Sequence, residues 1–433
     1  MQNIKTQKKW LKEELENRWF LHQYTNEKVF EKFDVGWEKF YFWVDCSSNS
    51  MTIGNFVALQ MAIHFMLKWN KCYLLVWWAT STIWNPSWKD QERPILTEQK
   101  LIENQEGITK QFEILTKNVE KITKKKLDYE IINNYDFFKN MNILDFLKEV
   151  WRYMTVNWMM SKDIVKKRIQ DPKKWISYAE FSYMLIMWYD FYHLYKNKWV
   201  TLEVWWSDEW DWILAWIELV SKKAQKEVYW VTNKLIVDSY WKKFGKSEWN
   251  AIWLDKNKST PYSVYQYFIN TADEDIEKYL KLFTFLDENE IKNITKEHTK
   301  SPQNRKWQKI LAFLVVEIIH SNSDASTAEK ISDLLFWNND KIQILKNLTK
   351  NEILSFSSEL WGFTYSQENL FETIVKSWLA KSNSQARQSV QSWAIFIQEQ
   401  KIEDFNYNIG DKFLENDVLL LRKWKKNFKI IRK

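Results

Sequence analysis

The stretch FYFWVDCSSNSMTIGNFVALQMAIHFMLKWNKCYLLVWWATSTIWNPSWKDQER, residues 40–93, decides how the chain folds. It opens on FYFWV (40–44), an apolar run of strand length rich in aromatic and β-branched residues. NFVALQMAIHFML (55–67) follows and reads as an apolar helix, and CYLLV (72–76) reads as a second buried strand. Strand, helix and strand within about 40 residues predict a right-handed crossover between two parallel strands. Sheets of this kind hold ligands beyond the carboxyl ends of their strands, where the chain must bend tightly. At those bends stand Trp43, Trp77 and Trp78, and further on Trp84 and Trp88 flank Asn85-Pro86-Ser87. Asn-Pro and Pro-Ser are turn chemistry whose usual companion is glycine.

The anomaly runs through the whole chain of 433 residues, which has 6 Gly and 29 Trp. Average usage of ~7% predicts roughly 30 glycines, close to what the two types make together. Trp69-Asn70, Trp249-Asn250, Asn197-Lys198-Trp199 and Lys423-Trp424-Lys425 are all glycine contexts. Positions with φ > 0 accept glycine and reject bulky residues. Most of these tryptophans are therefore expected to be glycines in the living protein. Some bacterial lineages decode UGA as glycine, and UGA read as tryptophan leaves this pattern. The alternative is a tryptophan-rich surface for stacking or membrane contact, but these residues follow turns rather than a helix face.

The remaining composition points to a cytoplasmic globular protein of two or three domains. Cys46 and Cys72 are too few for a disulfide framework or a structural zinc site. The amino terminus lacks an apolar run of signal length, and no stretch approaches ~18 uninterrupted apolar residues. His22, His64, His193, His298 and His320 are scattered, so no metal cluster is expected. Net charge is +7, and Leu421–Lys433 holds seven Lys or Arg and no acid. Such a tail reads either as a phosphate-binding surface or as a solvated end.

Residues 98–123 read as a helix, as do LDFLKEVWRYMTVNWMM (144–160), AEFSYMLIMWYDFYHLY (179–195), 272–297 and 304–350; TLEVWW (201–206) reads as a strand. Residues 351–368 read as a linker. A last unit, 369–433, combines a helix over 384–391 with short strands at IFIQEQ and DVLLLR.

With glycine restored, residues 75–93 become LVGGATSTIGNPSGKDQER. Together with YFWVDCSSNSMTIGN this resembles bacterial tyrosyl-tRNA synthetase, a class I synthetase. The resemblance continues in order through INNYDFF, VNWMMSKDIVKKRI, EFSYMLIMWYDF, EVWWSDEW, KKFGKSEWNAIWLDKNKSTPYSVYQYFINT and WLAKSNSQARQSVQSWAIFIQEQKI, and covers nearly the whole chain. It implies an α/β fold: a Rossmann-like parallel-sheet catalytic domain (1–255) with a helical dimer-interface insertion at about 131–200. An α-helical anticodon-side domain (256–350) and a small α+β RNA-binding domain (369–433) follow.

The implied reaction condenses tyrosine with ATP to tyrosyl-adenylate and pyrophosphate, then passes tyrosine to the terminal ribose of tRNA(Tyr). ATP is a substrate, Mg2+ arrives bound to it, and no tightly bound cofactor is expected. The tyrosine carboxylate is already the nucleophile, so catalysis is mainly positioning and stabilisation of phosphate charge. Lys243-Phe244-Gly245-Lys246-Ser247 resembles the mobile signature loop whose two ammonium groups close over the leaving pyrophosphate. Thr52-Ile53-Gly54-Asn55 occupies the place of the family's H-I-G-H, with Gly54 giving adenine access to the backbone. Thr52 and Asn55 replace two histidines and hydrogen-bond without carrying charge; a plain helix cap is the competing reading. Lys89 and Arg93 either join the phosphate cluster or are solvated surface charge.

The resemblance assigns the substrate phenol to Tyr41 and Asp190 and its ammonium to Tyr183. A buried carboxylate facing the phenol would be left unpaired by phenylalanine. Asn85 and Thr80 join the amino-acid site, and Asp45, Ser47 and Asp208 the nucleotide site. Met187 stands in place of a glutamine and is a weak acceptor; Glu209, also in place of a glutamine, is expected to compensate by its charge. Trp210 and Trp253 match genuine tryptophans of the family, and Asp211-Trp212 departs from its Gly-Asn without explanation. The family is homodimeric; apolar residues such as Phe137, Phe138, Leu144, Phe146 and Leu147 suit either that interface or core. The sister tryptophanyl enzymes lack the combination of Tyr41, Tyr183 and Asp190. A catalytically impaired, synthetase-like RNA-binding protein is the alternative of a different class, favoured by the lost histidines and opposed by Lys243 and Lys246.

Overall fold

The computed structural model describes residues 10–83, 96–161, 163–171, 176–206, 220, 223, 225–234, 252–298, 300–337, 340–424 and 427–433. It divides into two compact units, 1–255 with 272–295, and 256–271 with 296–433.

The first unit is built on a six-stranded sheet: β1 (Leu21–Tyr24), β2 (Lys39–Asp45), β3 (Lys71–Trp77), β4 (Asp128–Asn133), β5 (Leu202–Trp206) and β6 (Tyr229–Asn233). The spatial order is β1-β6-β5-β2-β3-β4. β1 runs antiparallel on one edge, and the other five strands are parallel. From β2 the chain moves to β3 on one side and later returns to β5 on the other, so the order reverses between β2 and β5. A crevice opens at such a switch point.

Helices α1 (Leu11–Asn17), α2 (Lys28–Val35), α3 (Ile53–Met66), α4 (Trp78–Ile83) and α5 (Glu98–Thr123) fall within the first 123 residues. The expected crossover is β2-α3-β3, and its two strands pair in register from Lys39↔Lys71 to Asp45↔Trp77. Nearly every residue of α3 is buried, which is why its sequence shows no polar face. After the short α6 (Tyr135–Phe138), the expected helix over 144–160 is interrupted, giving α7 (Ile143–Glu149), a 3-10 turn and α8 (Val156–Met160); α9 (Asp163–Gln170) and the long α10 (Tyr178–Lys198) follow.

Residues 272–295, expected with the helical domain, belong instead to the first unit. Arg18 explains this: its guanidinium donates to the carbonyls of Lys281, Thr284 and Leu286 at 3.1, 3.0 and 2.9 Å. It thereby satisfies backbone acceptors at and beyond the end of the helix Asp273–Phe283.

Beside Arg18, His64 Nδ1 lies 2.9 Å from Glu14 Oε1. Burial pushes the Glu14 carboxyl up, but the His64 hydrogen bond and the charges of Arg18 and Lys68 outweigh it and hold the group at about 2. Its contribution to stability is complete above the ordinary carboxylate value and is lost as pH falls toward 2. Glu14→Gln should therefore show a shallower loss of stability between about pH 4.5 and 2 in urea titrations. An unchanged acid slope would reject this.

In the second unit, helices and a four-stranded antiparallel sheet share their cores. The sheet order is β10-β9-β7-β8, with β7 (Ile395–Ile397), β8 (Gln400–Lys401), β9 (Val418–Lys423) and β10 (Asn427–Arg432). One cluster joins Ile353, Phe356 and Leu360 to Val418, Leu420, Phe428 and Ile430, and a second joins Ile374, Ala386 and Val390 to Leu419, Leu421 and Ile431. Alternate residues of β9 thus feed opposite faces, as the pleat requires. The linker reading of 351–368 needs correction. Lys350–Glu359 is a helix, begun by a capping box between Thr349 and Glu352, and its spacing of Ile353, Phe356 and Leu360 buries one face.

The backbone speaks directly to the tryptophans. Trp19, Trp37, Trp69, Trp199, Trp361, Trp378, Trp393 and Trp424 all have φ between 53° and 67°, and all eight are exposed. Several stand just beyond helix ends in the glycine position of Schellman turns. Trp378 donates to Val375 O (2.9 Å) and the next residue, Leu379, to Ile374 O (3.2 Å); Trp393 and Ala394 repeat the pattern on Val390 and Ser389. A left-handed conformation costs an L-residue about 1–2 kcal/mol. Trp378 is 87% exposed and loses little packing if removed. Trp378→Gly should thus raise the urea midpoint by the equivalent of about 1 kcal/mol; a lowered midpoint would contradict the argument.

Candidate active site

The switch point is furnished from four directions. β2 presents Tyr41, Trp43 and Asp45 on one face by its two-residue period. Tyr41 is buried and packs on Phe191 with ring centroids 5.2 Å apart. Its hydroxyl donates to the carboxylate of Glu203, its register partner on β5. Burial, then Glu203 and Asp190, push the Tyr41 phenol far above its ordinary value, so it stays protonated.

From α10 come Tyr183, Met187 and Asp190, spaced four and three residues apart and hence on one helix face, all buried. Asp190 Oδ2 accepts from Asn134 Nδ2 at 3.0 Å. Asp190 Oδ1 is buried without a partner among the described residues. Burial pushes the Asp190 carboxyl well up, Asn134 opposes this, and the neighbouring Glu203 adds to it.

Asn134 is the hub of this corner. Its side chain also donates to Thr80 Oγ1 and accepts from the Ala79 amide, both at 2.8 Å. It thereby ties the end of β3, the start of α4 and α10 together. The residue lies inside INNYDFF, yet its spacing from Asp190 and Thr80 in the chain gave no sign of the contact.

The loop from β2 into α3 forms the third side. Asp45 Oδ1 accepts from the Ser47 amide (3.0 Å) and from Ser81 Oγ (2.8 Å). The loop is held against α5 by Asn104 and Gln111, which bond Cys46 O, Ser50 Oγ and the Met51 amide. Gly107 makes this possible, since a Cβ there would lie 2.1 Å from Asn49 O. Thr52 and Asn55 form a reciprocal capping box at the start of α3. Their hydrogen bonds are thus largely directed at each other and at the helix end, as in the competing cap reading. An N-terminal helix end with exposed N–H dipoles still suits a phosphate, and Gly54 leaves its outer side open, the nearest contact of a Cβ being Thr52 Oγ1 at 3.4 Å.

The segment that follows the candidate lysine loop returns to this same helix end. Ile53 donates to Ile252 O and Leu254 to Met51 O, with Thr52 bridged to Trp253. Asn85, Lys89, Arg93, Asp208, Glu209, Lys243, Phe244, Gly245, Lys246 and Ser247 lie outside the described residues.

The fourth side is indole. Trp43 stacks on Trp77 with centroids 3.4 Å apart and planes 10° apart, and meets Trp205 at 3.9 Å. All three are buried. Trp43 Nε1 donates to Glu203 Oε1 at 2.8 Å, while Trp77 Nε1 is buried with no partner among the described residues. A buried donor left unpaired costs about 1–3 kcal/mol. The rings stand at the ends of β2, β3 and β5, in the space a ligand of this fold would occupy.

Residues 38–336 match the family model described as tRNA synthetases class I (W and Y), and residues 356–431 match the tyrosine–tRNA ligase SYY-like C-terminal domain. The first model leaves the amino acid open between tryptophan and tyrosine. A tyrosine–tRNA ligase of Streptococcus pyogenes is 37% identical over 431 residues, covering 97% of this chain and 99% of the relative. The chain belongs to the tyrosyl-tRNA synthetase family. A C-terminally truncated mitochondrial tyrosyl-tRNA synthetase of Aspergillus nidulans superposes with a TM-score of 0.68 at 25% identity, covering 76% of this chain and 94% of that one. A tyrosyl-tRNA synthetase of Archaeoglobus fulgidus shares the fold at a TM-score of 0.52 and 15% identity, with 74% and 99% coverage.

As a tyrosyl-tRNA synthetase of class I, the chain is an ATP-dependent tyrosine–tRNA ligase. Tyr41 and Asp190, 149 positions apart in sequence, meet in one buried pocket with Asn134 and Glu203. Glu203 and Asn134 are additions that sequence reasoning did not single out. For Glu203 the only signal was its place inside a predicted strand.

Proposed function

We propose that tyrosine is activated in the crevice between β2 and β5, with its phenol against Asp190 and Tyr41, and that glycine occupies positions 43, 77, 78, 205 and 206 in the active protein. A carboxylate oxygen of tyrosine attacks the α-phosphorus of ATP, the bond to the β-phosphate oxygen breaks, and pyrophosphate leaves. Mg2+ enters with ATP and screens its phosphates. Lys243 and Lys246 hold the leaving group, and the return of the chain at Ile252–Leu254 to the start of α3 supports a loop placed over the phosphates. Ser47, Gly54, Asp45 and Asp208 take the nucleotide; Tyr183, Thr80, Asn85, Met187 and Glu209 surround the ammonium group. The observation that carries the reading is the buried Asp190 carboxyl with one oxygen held by Asn134 and the other unpaired among the described residues.

The product amino acid passes to tRNA(Tyr). The second unit contains a cavity of about 740 Å³ lined by Arg305, Lys423 and Lys429 together with Phe336, Trp337 and Phe428. Cations beside aromatic faces suit nucleic acid, and such binding should weaken with salt. Burial pushes the Lys429 ammonium down to about 8, so an RNA phosphate is a natural partner for it. A homodimer forms through the 131–165 region; the exposure of Ile143, Leu144 and Val156, at 64, 70 and 59%, supports this reading. The protein acts in the cytoplasm.

The test is tyrosine-dependent exchange between ATP and pyrophosphate, followed by charging of tRNA. The stacked indoles favour a second reading, in which the chain holds RNA without activating tyrosine. Exchange by the chain with glycine at the five positions, and none by the chain with indole, separates the two.

A further inference from the structure

The pocket around Tyr41 holds two buried carboxyl groups, and only one of them has an evident task. Glu203 is wholly buried on β5, opposite Tyr41 on β2, so the backbone register itself sets their side chains together. A phenol has one proton to give, and a carboxylate only accepts. Tyr41 directs that O–H at Glu203 as a hydrogen bond. Asp190, presented by α10, keeps Oδ1 unpaired among the described residues, although Tyr41 lies close enough for the two to interact electrostatically.

We infer that Glu203 is a positioning residue for substrate recognition: it ties down the Tyr41 hydroxyl so that the free Asp190 oxygen is reserved for a para-hydroxyl group on the amino acid. This rests on the reading of the crevice as the tyrosine site. Without Glu203 the Tyr41 hydroxyl is released and can satisfy Asp190 itself, and the bound phenol then has to compete with a group of the protein. Replacing Trp43 by glycine removes the indole N–H that donates to Glu203 Oε1 and leaves the Tyr41 contact on Oε2.

The experiment uses the full-length chain with glycine at 43, 77, 78, 205 and 206, and compares E203L, which removes the acceptor, with E203Q, which keeps the shape and one carbonyl oxygen. Exchange is measured against tyrosine and phenylalanine over a pH series. E203L should raise KM for tyrosine about tenfold or more, from the loss of a charge-assisted hydrogen bond. Its kcat and its KM for phenylalanine should stay within about threefold, since neither the phosphates nor the ring are touched. E203Q should restore most of the selectivity.

E203Q should also move the acid fall-off of kcat/KM for tyrosine to lower pH. Asp190 faces Tyr41 on β2, Glu203 on β5, Asn134 beyond β4, and Tyr189 on its own helix. Among these, Glu203 is the neighbour whose negative charge E203Q removes, and losing it eases ionisation of Asp190. A merely structural role would lower kcat and melting temperature together and leave selectivity alone. Unchanged selectivity in E203L, or an unmoved acid limb in E203Q, overturns the inference while leaving the enzyme active. A glycine-bearing parent without tyrosine-dependent exchange overturns the functional reading, and this inference falls with it.

Discussion

Protein carrying indole at positions 43, 77, 78, 205 and 206 will show no tyrosine-dependent exchange of pyrophosphate into ATP, and the same chain with glycine at those positions will show it. The reason is geometric. Trp43 and Trp77 are already in van der Waals contact at 3.4 Å, and Trp205 closes on the same ring at 3.9 Å. No slot remains between them for a purine or a phenol. Class I activation depends on holding a carboxylate against a phosphorus atom, and that positioning is worth several kcal/mol of the barrier. Its loss should lower the rate by at least about three orders of magnitude. Tyrosine and ATP should likewise raise the melting temperature of the glycine chain and leave the indole chain unmoved, because only a ligand that binds the folded state shifts its stability. Equal exchange by both proteins would show that the crevice at this switch point is not where the chemistry occurs.

Asp190→Ala, made in the glycine chain, will remove most of the preference for tyrosine over phenylalanine without abolishing activation. Asp190 is wholly buried, with one oxygen unpaired among the described residues. Tyrosine loses a hydrogen bond to a charged group, worth about 1.5–3 kcal/mol, or roughly 10- to 100-fold in kcat/KM. Phenylalanine gains, because a buried polar oxygen no longer goes without a partner when it binds. The ratio should therefore shrink by about three orders of magnitude, the two changes compounding. Selection of tyrosine over phenylalanine by ~10⁵ is an established property of this same enzyme family, and it sets the ceiling rather than the forecast. Because burial and Glu203 raise the Asp190 carboxyl, the acid limb of tyrosine recognition should lie above the usual carboxylate range in the parent and disappear in Asp190→Ala. Retained selectivity in Asp190→Ala would place phenol recognition elsewhere.

Much of the architecture was legible along the chain because its signals are local. The crossover from β2 through α3 to β3 follows from two apolar runs of strand length around one of helix length. The helix Glu98–Thr123 appears where alternating charge and apolarity placed it. The tryptophans in turn contexts stand at positive φ in eight places, which a local rule about backbone conformation foresees. Other features escaped. Half of β10 is polar or cationic (Asn427, Lys429 and Arg432), and it pairs with β9 in a hairpin, so its strand character comes from pairing rather than composition. The helix Lys350–Glu359 read as a linker because its polar residues outnumber its apolar ones; only the face of β10 and β9 beneath it explains Ile353, Phe356 and Leu360.

The amino-acid sequence by itself determined the fold class, the family and the identities of Tyr41, Tyr183 and Asp190 as candidate substrate residues, because periodicity and short motifs are properties of neighbouring positions. Tertiary structure alone decided that Asn134 secures Asp190 and that Glu203 accepts the hydrogen bond of the Tyr41 hydroxyl. It also decided that indoles from three strands converge on one point. Those contacts join residues that parallel strands and a crossing helix bring together from distant parts of the chain, and the partner of a buried polar group is chosen by the space around it rather than by its neighbours in sequence.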